Sequence, residues 1–249
     1  MPRKTLPIPL SVLLAAFAVF ACEAWAGSSL GDITSALDRA KGPADIAREV
    51  PVLEAMAQGC RDASVYTQLS RAYYLLGEAE KKKAARLKYF DEAIAASEKA
   101  LAAGPSDCHA LYWRSMAKLQ KADIVNSLTA LGLVKDALRG LEEVEGKDAL
   151  YDFAGAYRSR GKVLIEAPSW AFIGDKKKGL ALLVKAKELA PGCLVNRLYL
   201  AQAYLKNDRA KEAKAEIDYI LAAPPDRDKP DDIEVKEDAR KLMSEAGKR

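Results

Sequence analysis

Hydrophobic and small residues recur along this chain roughly every three or four positions, the spacing of the buried face of an α-helix. The clearest stretch is residues 194–227, in which Leu200, Ala201 and Tyr204 share one face of a first helix. An alanine-rich segment follows at the same spacing and ends before Pro225, which cannot continue a helix. This stretch therefore predicts two helices joined by a turn.

Similar patterns divide the rest of the chain. Residues 27–62 predict a helical pair that caps the N-terminal side, and residues 63–227 predict four helix–turn–helix repeats, two of them with long insertions. Residues 228–249 predict a polar helix that caps the other side. The first insertion, at 78–89, is charged and has no proline or glycine, so it should lengthen the helices. The second, at 166–175, has the proline and glycine of a loop.

Helix–turn–helix units of about 34 residues with small residues at fixed positions are the signature of tetratricopeptide repeats (TPR). Residues 194–227 resemble this family most clearly. The resemblance implies an all-α fold, a TPR-type helix–turn–helix solenoid in which antiparallel helix pairs stack into a right-handed superhelix. Such solenoids present a concave surface, which favours a binding scaffold over an enzyme.

Residues 148–243 carry motifs that go beyond the general repeat. They are Pro168, Trp170 and Gly174 in the insertion, the segment 185–192 (Lys-Ala-Lys-Glu-Leu-Ala-Pro-Gly), the segment 196–201 (Asn-Arg-Leu-Tyr-Leu-Ala) and the segment 222–224 (Ala-Ala-Pro). This part resembles the C-terminal half of regulator-of-microtubule-dynamics-type repeat proteins and their exported bacterial relatives. It is similar, more loosely, to the repeat lipoproteins associated with TRAP transporters, and that similarity implies oligomers beside a solute-binding protein.

The N-terminus has the pattern of an export signal. Basic residues precede an apolar run at 6–21, and an Ala-Trp-Ala segment ends at Ala26. Signal peptidases recognise small residues at these positions, so we expect cleavage between Ala26 and Gly27. Residues 1–26 are then a cleaved signal peptide, and the mature protein is periplasmic or secreted.

Cys22 supplies an alternative. The segment 19–22 (Val-Phe-Ala-Cys) resembles a lipobox, in which the cysteine is acylated and becomes the first residue of a lipoprotein. Acylation would hold the protein at a membrane surface, whereas cleavage before Gly27 would release it. Membrane association is expected only if Cys22 is lipidated.

Charge and cysteine content limit the classes of function. The chain has 39 Lys and Arg against 35 Asp and Glu, a net charge of +4, which gives no reason to expect nucleic acid binding. After signal cleavage Cys60, Cys108 and Cys193 remain without any Cys-x-x-Cys pair, so no metal site is predicted. One pair, such as Cys60 with Cys108, could form a disulfide in an oxidising compartment, and the sequence leaves this open.

No catalytic constellation is indicated by the sequence. His109 is the only histidine, and no Gly-x-Ser-x-Gly motif accompanies it. The position of His109 beside the start of a predicted helix favours a structural role. We therefore expect no enzymatic activity and no cofactor.

The concave surface is the expected binding site. In tetratricopeptide repeats the first helix of each repeat lines this surface, and the resemblance carries those positions onto this chain. They are Thr67, Arg71, Tyr74, Trp113, Arg114, Gln120, Asp152, Phe153, Arg160, Tyr199, Gln202 and Lys206. Aromatic rings combined with Arg, Gln and Lys are typical of recognition surfaces. The alternative is that several of the rings only fill the superhelix.

Trp170 and Phe172 are the aromatic residues of the second insertion. They either anchor the loop on the first helix of the third repeat or form a lip over the groove. The anchor is the favoured interpretation.

These features predict an exported, non-enzymatic scaffold that mediates protein–protein interaction in the bacterial cell envelope. The expected partner is an envelope protein or peptide, and a homo-oligomer is compatible with the pattern. The alternative is a small-ligand or lipid-binding solenoid that is accessory to a transport system.

Overall fold

A computed structural model of the protein describes residues 29–167, 172–224 and 231–246. The described residues form eleven α-helices and no strand. In chain order they are α1 (Leu30–Asp38), α2 (Pro43–Gly59), α3 (Ala63–Ala79), α4 (Lys83–Ala103), α5 (Cys108–Ala122), α6 (Ser127–Lys147), α7 (Tyr151–Glu166), α8 (Lys176–Leu189), α9 (Leu194–Lys206), α10 (Ala210–Ala222) and α11 (Asp231–Ala246). The predicted signal peptide, Cys22 and Trp170 lie outside the described residues.

Acidic side chains begin several of these helices. Asp62 accepts a hydrogen bond from a backbone N–H in the first turn of α3, Asp107 does so for α5, and Asp175 does so for α8. Each carboxylate satisfies a donor that the helix itself leaves unpaired, and the negative charge is favourable at the positive end of the helix dipole. The starts of these helices are therefore encoded locally.

The helices pair and stack in two layers. Consecutive helices pack as the pairs α3–α4, α5–α6, α7–α8 and α9–α10, and each second helix also contacts the first helix of the next pair. The odd-numbered helices from α1 to α11 contact one another in sequence and form one continuous layer. This arrangement is an all-α helical solenoid, as the sequence predicts.

Each repeat completes the core of the one before it. One cluster of buried side chains contains Tyr74, Phe90, Tyr112, Val144 and Ala156, which come from five successive helices, α3 to α7. A single helix pair cannot bury its own apolar face, so the core is shared along the stack. The repeats are stable because their neighbours cover them.

The charged first insertion lengthens the helices, as expected. Helix α3 continues to Ala79 and α4 begins at Lys83, so only a short turn separates helices of 17 and 21 residues. Within the described ranges, no helix has both the length and the apolar character needed to cross a lipid bilayer.

Candidate functional site

A cavity of about 690 Å³ lies on the layer of odd-numbered helices. Side chains of α3, α5, α7, α9 and α11 line it, together with the N-terminal part of α6 and Ile173 from the second insertion. A volume of this size is within the range of roughly 300–1,000 Å³ found for ligand sites. The cavity is therefore the candidate binding site.

Aromatic rings form one wall of the cavity. The ring centroid of Trp113 lies 5.3 Å from that of Tyr74 and 5.1 Å from that of Tyr112. The indole Nε1 of Trp113 donates a hydrogen bond of 2.7 Å to the hydroxyl of Tyr151. These contacts fix the rings in place, so the wall is preorganised for binding.

A left-handed turn at the start of α7 shapes the next part of the wall. Asp152, Phe153 and Ala154 have φ values of 50°, 54° and 63°, a conformation that costs a residue other than glycine roughly 1–2 kcal/mol. The turn places the carboxylate of Asp152 in the cavity wall, where Tyr112 Oη and Arg158 Nη2 each donate to Oδ2 at 2.5 Å. Strained backbone held by side chains in this way is common at functional sites.

Asn196 on α9 holds this turn from the other side. Its side chain is fully buried, and Nδ2 donates to the carbonyls of Phe153 at 2.8 Å and Ala186 at 3.0 Å. Its Oδ1 accepts a hydrogen bond of 3.0 Å from Arg158 Nη1. Residues of two repeats thus stabilise a conformation that residues 152–154 would not adopt alone.

Carboxylates outnumber cations among the described lining residues. The six acidic ones are Glu78, Asp123, Asp152, Glu166, Glu234 and Asp238, and the two basic ones are Arg158 and Lys162. Lys162 lies on a tyrosine face, with Nζ 4.5 Å from the ring centroid of Tyr199. The groove positions taken from the repeat pattern include neither Arg158 nor Lys162, although both side chains line the cavity.

Five of the residues predicted for the groove line this cavity. They are Tyr74, Trp113, Gln120, Asp152 and Tyr199. These side chains belong to α3, α5, α7 and α9, so the repeat phase brings together residues far apart in the sequence.

Thr67 and Arg71 do not line the cavity. Thr67 is 3% exposed and donates a hydrogen bond of 2.7 Å to Asp107. Arg71 forms an ion pair of 2.5 Å with Asp38, and its guanidinium carbon lies 5.7 Å from the Trp113 ring centroid. Arg71 therefore supports the Trp113 ring, and Thr67 joins α3 to the start of α5.

Arg160 does not belong to the concave surface, which corrects the sequence expectation. It is 5% exposed and pairs with Glu142 at 2.7 Å and with Glu145 across the interface between α6 and α7. Burial, opposed by the charge of Arg160, raises the pKa of Glu145. The arginine therefore joins two consecutive repeats instead of facing a ligand.

The remaining predicted groove residues do not line the main cavity. Gln202 and Lys206 line a small cleft that adjoins the cavity, since Glu166 and Tyr199 line both. Lys206 forms an ion pair of 3.1 Å with Glu166. Arg114 is half-buried, and the Phe153 side chain is 51% exposed beside the left-handed turn.

Phe172 is 96% exposed, so it is not a core anchor and the favoured interpretation of the insertion is wrong for this residue. The neighbouring Ile173 is the insertion residue that lines the cavity. The second insertion thus contributes an apolar side chain to the edge of the site, through a residue that the sequence pattern does not mark.

A second cluster of functional groups lies at the start of α5. Ligand atoms of Cys108, His109 and Asp148 all lie within 4.8 Å of one another, although the sequence predicted no metal site. His109 Nε2 is 3.1 Å from Asp148 Oδ2, and this hydrogen bond lowers the pKa of Asp148. Burial, with the nearby carboxylates, raises the pKa of the Cys108 thiol. In the part of the chain that the structure describes, Cys60, Cys108 and Cys193 are not joined by disulfides.

No protein-family model and no curated protein matches this chain. Among solved structures, it is similar to the crystal structure of a thermophilic TPR protein from Thermus thermophilus. The two share 20% identity and a TM-score of 0.58 over 91% of this chain and 97% of that one. The match confirms the TPR-type fold, and at this identity it shows the fold alone. The narrower resemblance of residues 148–243 stays an interpretation of the sequence.

Proposed function

Because the chain is a TPR-type helical solenoid, we propose that it is an exported, non-enzymatic scaffold that binds a protein partner in its concave cavity. The cavity carries this proposal: preorganised aromatic rings and charged groups from five odd-numbered helices line one continuous surface. A surface assembled along a stack of repeats suits an elongated segment of a partner protein.

The proposed location is the bacterial cell envelope, with Gly27 as the first residue of the mature protein. Mass spectrometry of the protein purified from its native host tests this. A mature N-terminus at Gly27 that persists in a Cys22→Ala variant supports release by signal peptidase. A diacylated Cys22 would show instead that the protein is a membrane-anchored lipoprotein.

Site-specific photo-crosslinking in living cells tests the binding surface. A photoreactive phenylalanine analogue at Met116 lies in the cavity wall, whereas the same analogue at Glu98 lies on the exposed side of α4 and serves as the control. We expect a protein adduct from position 116 and none from position 98. Adducts at equal yield from both positions, or from position 98 alone, would refute binding in the cavity.

The alternative function is binding of a small solute or lipid in the same cavity. Native mass spectrometry of the mature protein distinguishes the two. A copurified small molecule that is lost when Trp113 is replaced by Ala would favour the alternative, because Trp113 forms part of the cavity wall.

A further inference from the structure

The charge of the cavity is opposite to that of the whole chain. The chain carries more basic than acidic residues, 39 against 35, whereas the described lining residues of the cavity include six carboxylates and two cations. The acidic surplus is therefore local to this surface. Carboxylates clustered along a cavity create a negative potential that attracts cations.

Several of these carboxylates already have a cationic partner. Asp152 is paired with Arg158 at 2.5 Å, Glu166 with Lys206 at 3.1 Å and Asp238 with Lys241 at 2.9 Å. These pairs satisfy part of the negative charge inside the protein itself.

Asp123 and Glu234 differ from the paired carboxylates. Neither forms an ion pair or a side-chain hydrogen bond within the described ranges, and they come from distant parts of the chain, Asp123 directly after α5 and Glu234 on α11. Asp123 is exposed at the cavity, and partial desolvation raises the pKa of its carboxyl against the longer-range attraction of Lys162 and Arg86. A cation bound beside it would provide a charge partner that the described residues do not.

Aromatic faces lie between these carboxylates. Tyr74, Trp113 and Tyr199 line the same cavity, and Lys162 already lies over the Tyr199 ring at 4.5 Å. Cations are attracted to such rings, and the apolar stems of Lys and Arg pack along them. Rings and carboxylates together form a surface that complements basic side chains better than acidic or purely apolar ones.

We propose that the cavity binds a segment of a partner protein that carries Lys or Arg side chains, with their charged groups at Asp123 and Glu234 and their stems on the rings. This inference deepens the proposed function and rests on it. The lining extends over α3, α5, α7, α9 and α11, which favours an extended polypeptide over a compact small cation.

Isothermal titration calorimetry on the mature protein, residues 27–249, tests the chemistry directly. The probes are a short blocked peptide of alternating lysine and alanine, the same peptide with glutamate in place of lysine, and spermidine. We expect only the lysine peptide to bind, and its affinity to fall as salt is raised. The proposal would be refuted if the two peptides gave equal signals or if neither bound. Spermidine binding more tightly than the lysine peptide would assign the site to a small cation instead.

A double variant, Asp123→Asn with Glu234→Gln, connects the binding to the named carboxylates. We expect about tenfold weaker binding of the lysine peptide, equivalent to about 1.4 kcal/mol. The matched control is Glu49→Gln with Glu98→Gln, which removes the same charge from α2 and α4, away from the cavity. Equal loss in both variants would mean that only net charge matters. A segment captured at Met116 that contains no Lys or Arg would refute this inference and leave the scaffold function intact.

An independent observation concerns Cys108, His109 and Asp148. The first two residues of α5 and the residue that follows α6 meet because these helices pack as a pair. The His109 ring stacks on Tyr151 with 4.0 Å between centroids, which limits its rotation. None of the three side chains lines the cavity.

We infer that these three side chains form a transition-metal site of the Zn²⁺ type. A thiolate, an imidazole and a carboxylate are all ligands of this ion, and three protein ligands leave a fourth position for water or another ligand. Bond lengths of about 2.0–2.3 Å require the ligand atoms to approach to less than 4 Å, so small side-chain rotations from the separations of up to 4.8 Å are sufficient. The metal would displace the thiol proton and replace the direct hydrogen bond between His109 and Asp148.

Titration of the metal-free mature protein with Co²⁺ tests the site, because a thiolate bound to Co²⁺ gives a charge-transfer band in the near ultraviolet. We expect one equivalent to bind, Zn²⁺ to displace it, and Cys108→Ser to abolish the band. His109→Asn and Asp148→Asn should each weaken binding at least tenfold, with melting curves showing that both variants fold.

The matched control is Cys193→Ser. Cys193 is the N-cap of α9, one position earlier relative to its helix than Cys108 in α5, and no metal-binding cluster among the described residues includes it. We expect the spectrum to be unchanged in this variant. The metal site would be refuted if the native protein gave no thiolate band. It would also be refuted if the His109→Asn variant bound Co²⁺ as tightly as the native protein does.

Discussion

Arg158 donates a hydrogen bond to Asp152 across the left-handed turn that opens α7, with 2.5 Å between Nη2 and Oδ2. Although burial opposes the arginine charge, the Asp152 carboxylate holds the pKa of Arg158 above its ordinary value. The pair fixes a strained backbone segment and at the same time places a carboxylate in the cavity. Stability and the shape of the site therefore depend on the same contact.

Replacing Arg158 with Gln should lower the free energy of unfolding by about 2–3 kcal/mol, because Asp152 loses its charged partner and the turn loses its support. Urea denaturation measures the change. Lys214→Gln is the control: it removes a surface pair with Asp218 in which both side chains are more than half exposed, and it should change stability by less than about 0.5 kcal/mol. Equal effects of the two substitutions would contradict the proposed role of Arg158.

Gly161 and Gly179 bring α7 and α8 into backbone contact. A Cβ on Gly161 would lie 2.9 Å from the Gly179 carbonyl oxygen, and one on Gly179 would lie 2.8 Å from that of Gly161. Gly161→Ala or Gly179→Ala should each destabilise the protein by about 1–3 kcal/mol, because neither backbone can move without separating the helices. Gly132→Ala in α6 has open space and should be neutral or stabilising by up to about 1 kcal/mol. Thermal unfolding of the three variants measures these changes. Equal changes in all three would contradict the proposed backbone contact between α7 and α8.

Phe172 and Phe90 provide a contrast between an exposed and a buried ring. Phe172→Ala should change the free energy of unfolding by less than about 0.5 kcal/mol, because its side chain is 96% exposed. Phe90→Ala should cost about 3–5 kcal/mol, since its ring is 0% exposed. A large loss of stability in Phe172→Ala would restore the anchor interpretation of the insertion. If Phe172→Ala weakened partner binding without changing stability, Phe172 would be part of a lip over the groove.

The ion pair between Lys118 and Asp136 makes the stability of the fold depend on pH in the acidic range. The hydrogen bond from Lys118 lowers the pKa of Asp136 below its ordinary value of 3.8. The pair therefore stabilises the fold fully above that ordinary value, and this contribution disappears as the pH falls through the lower pKa of the folded state. Asp136→Asn should lose stability near neutral pH and show a shallower decline below about pH 4.

Urea midpoints measured at several acidic pH values test this behaviour. Lys118→Met should flatten the acid limb to a similar extent, and adding Asp136→Asn to it should have little further effect on the slope. An unchanged slope in both single variants would show that the pair does not control the acid response.

The TPR-type fold could be predicted because its information is local and repeated. The apolar period, the acidic helix caps and the small residues that allow close packing, such as Ala201 and Ala213 at 0% exposure, are all visible in the sequence. Tyr74 and Trp113, which the same repeat phase assigns to the groove, both line the cavity.

The left-handed turn at 152–154 could not be predicted, since no glycine marks it. Its conformation is stabilised by Tyr112 and Asn196, which are about forty residues away on either side. Local propensity favours a regular helix there, and long-range hydrogen bonds override it. For the same reason no local pattern indicates that Arg160 pairs with α6 instead of facing the groove.

The sequence by itself determined that the chain folds into stacked helix pairs, because helix period and small-residue packing act over short distances. Only the tertiary structure decided the charge of the cavity and the cluster at Cys108. Glu78 and Glu234 line the same cavity although they are 156 positions apart in the sequence, and no local pattern encodes that meeting. Side chains of different repeats come together through the geometry of the stack, so their joint chemistry exists only in the folded protein.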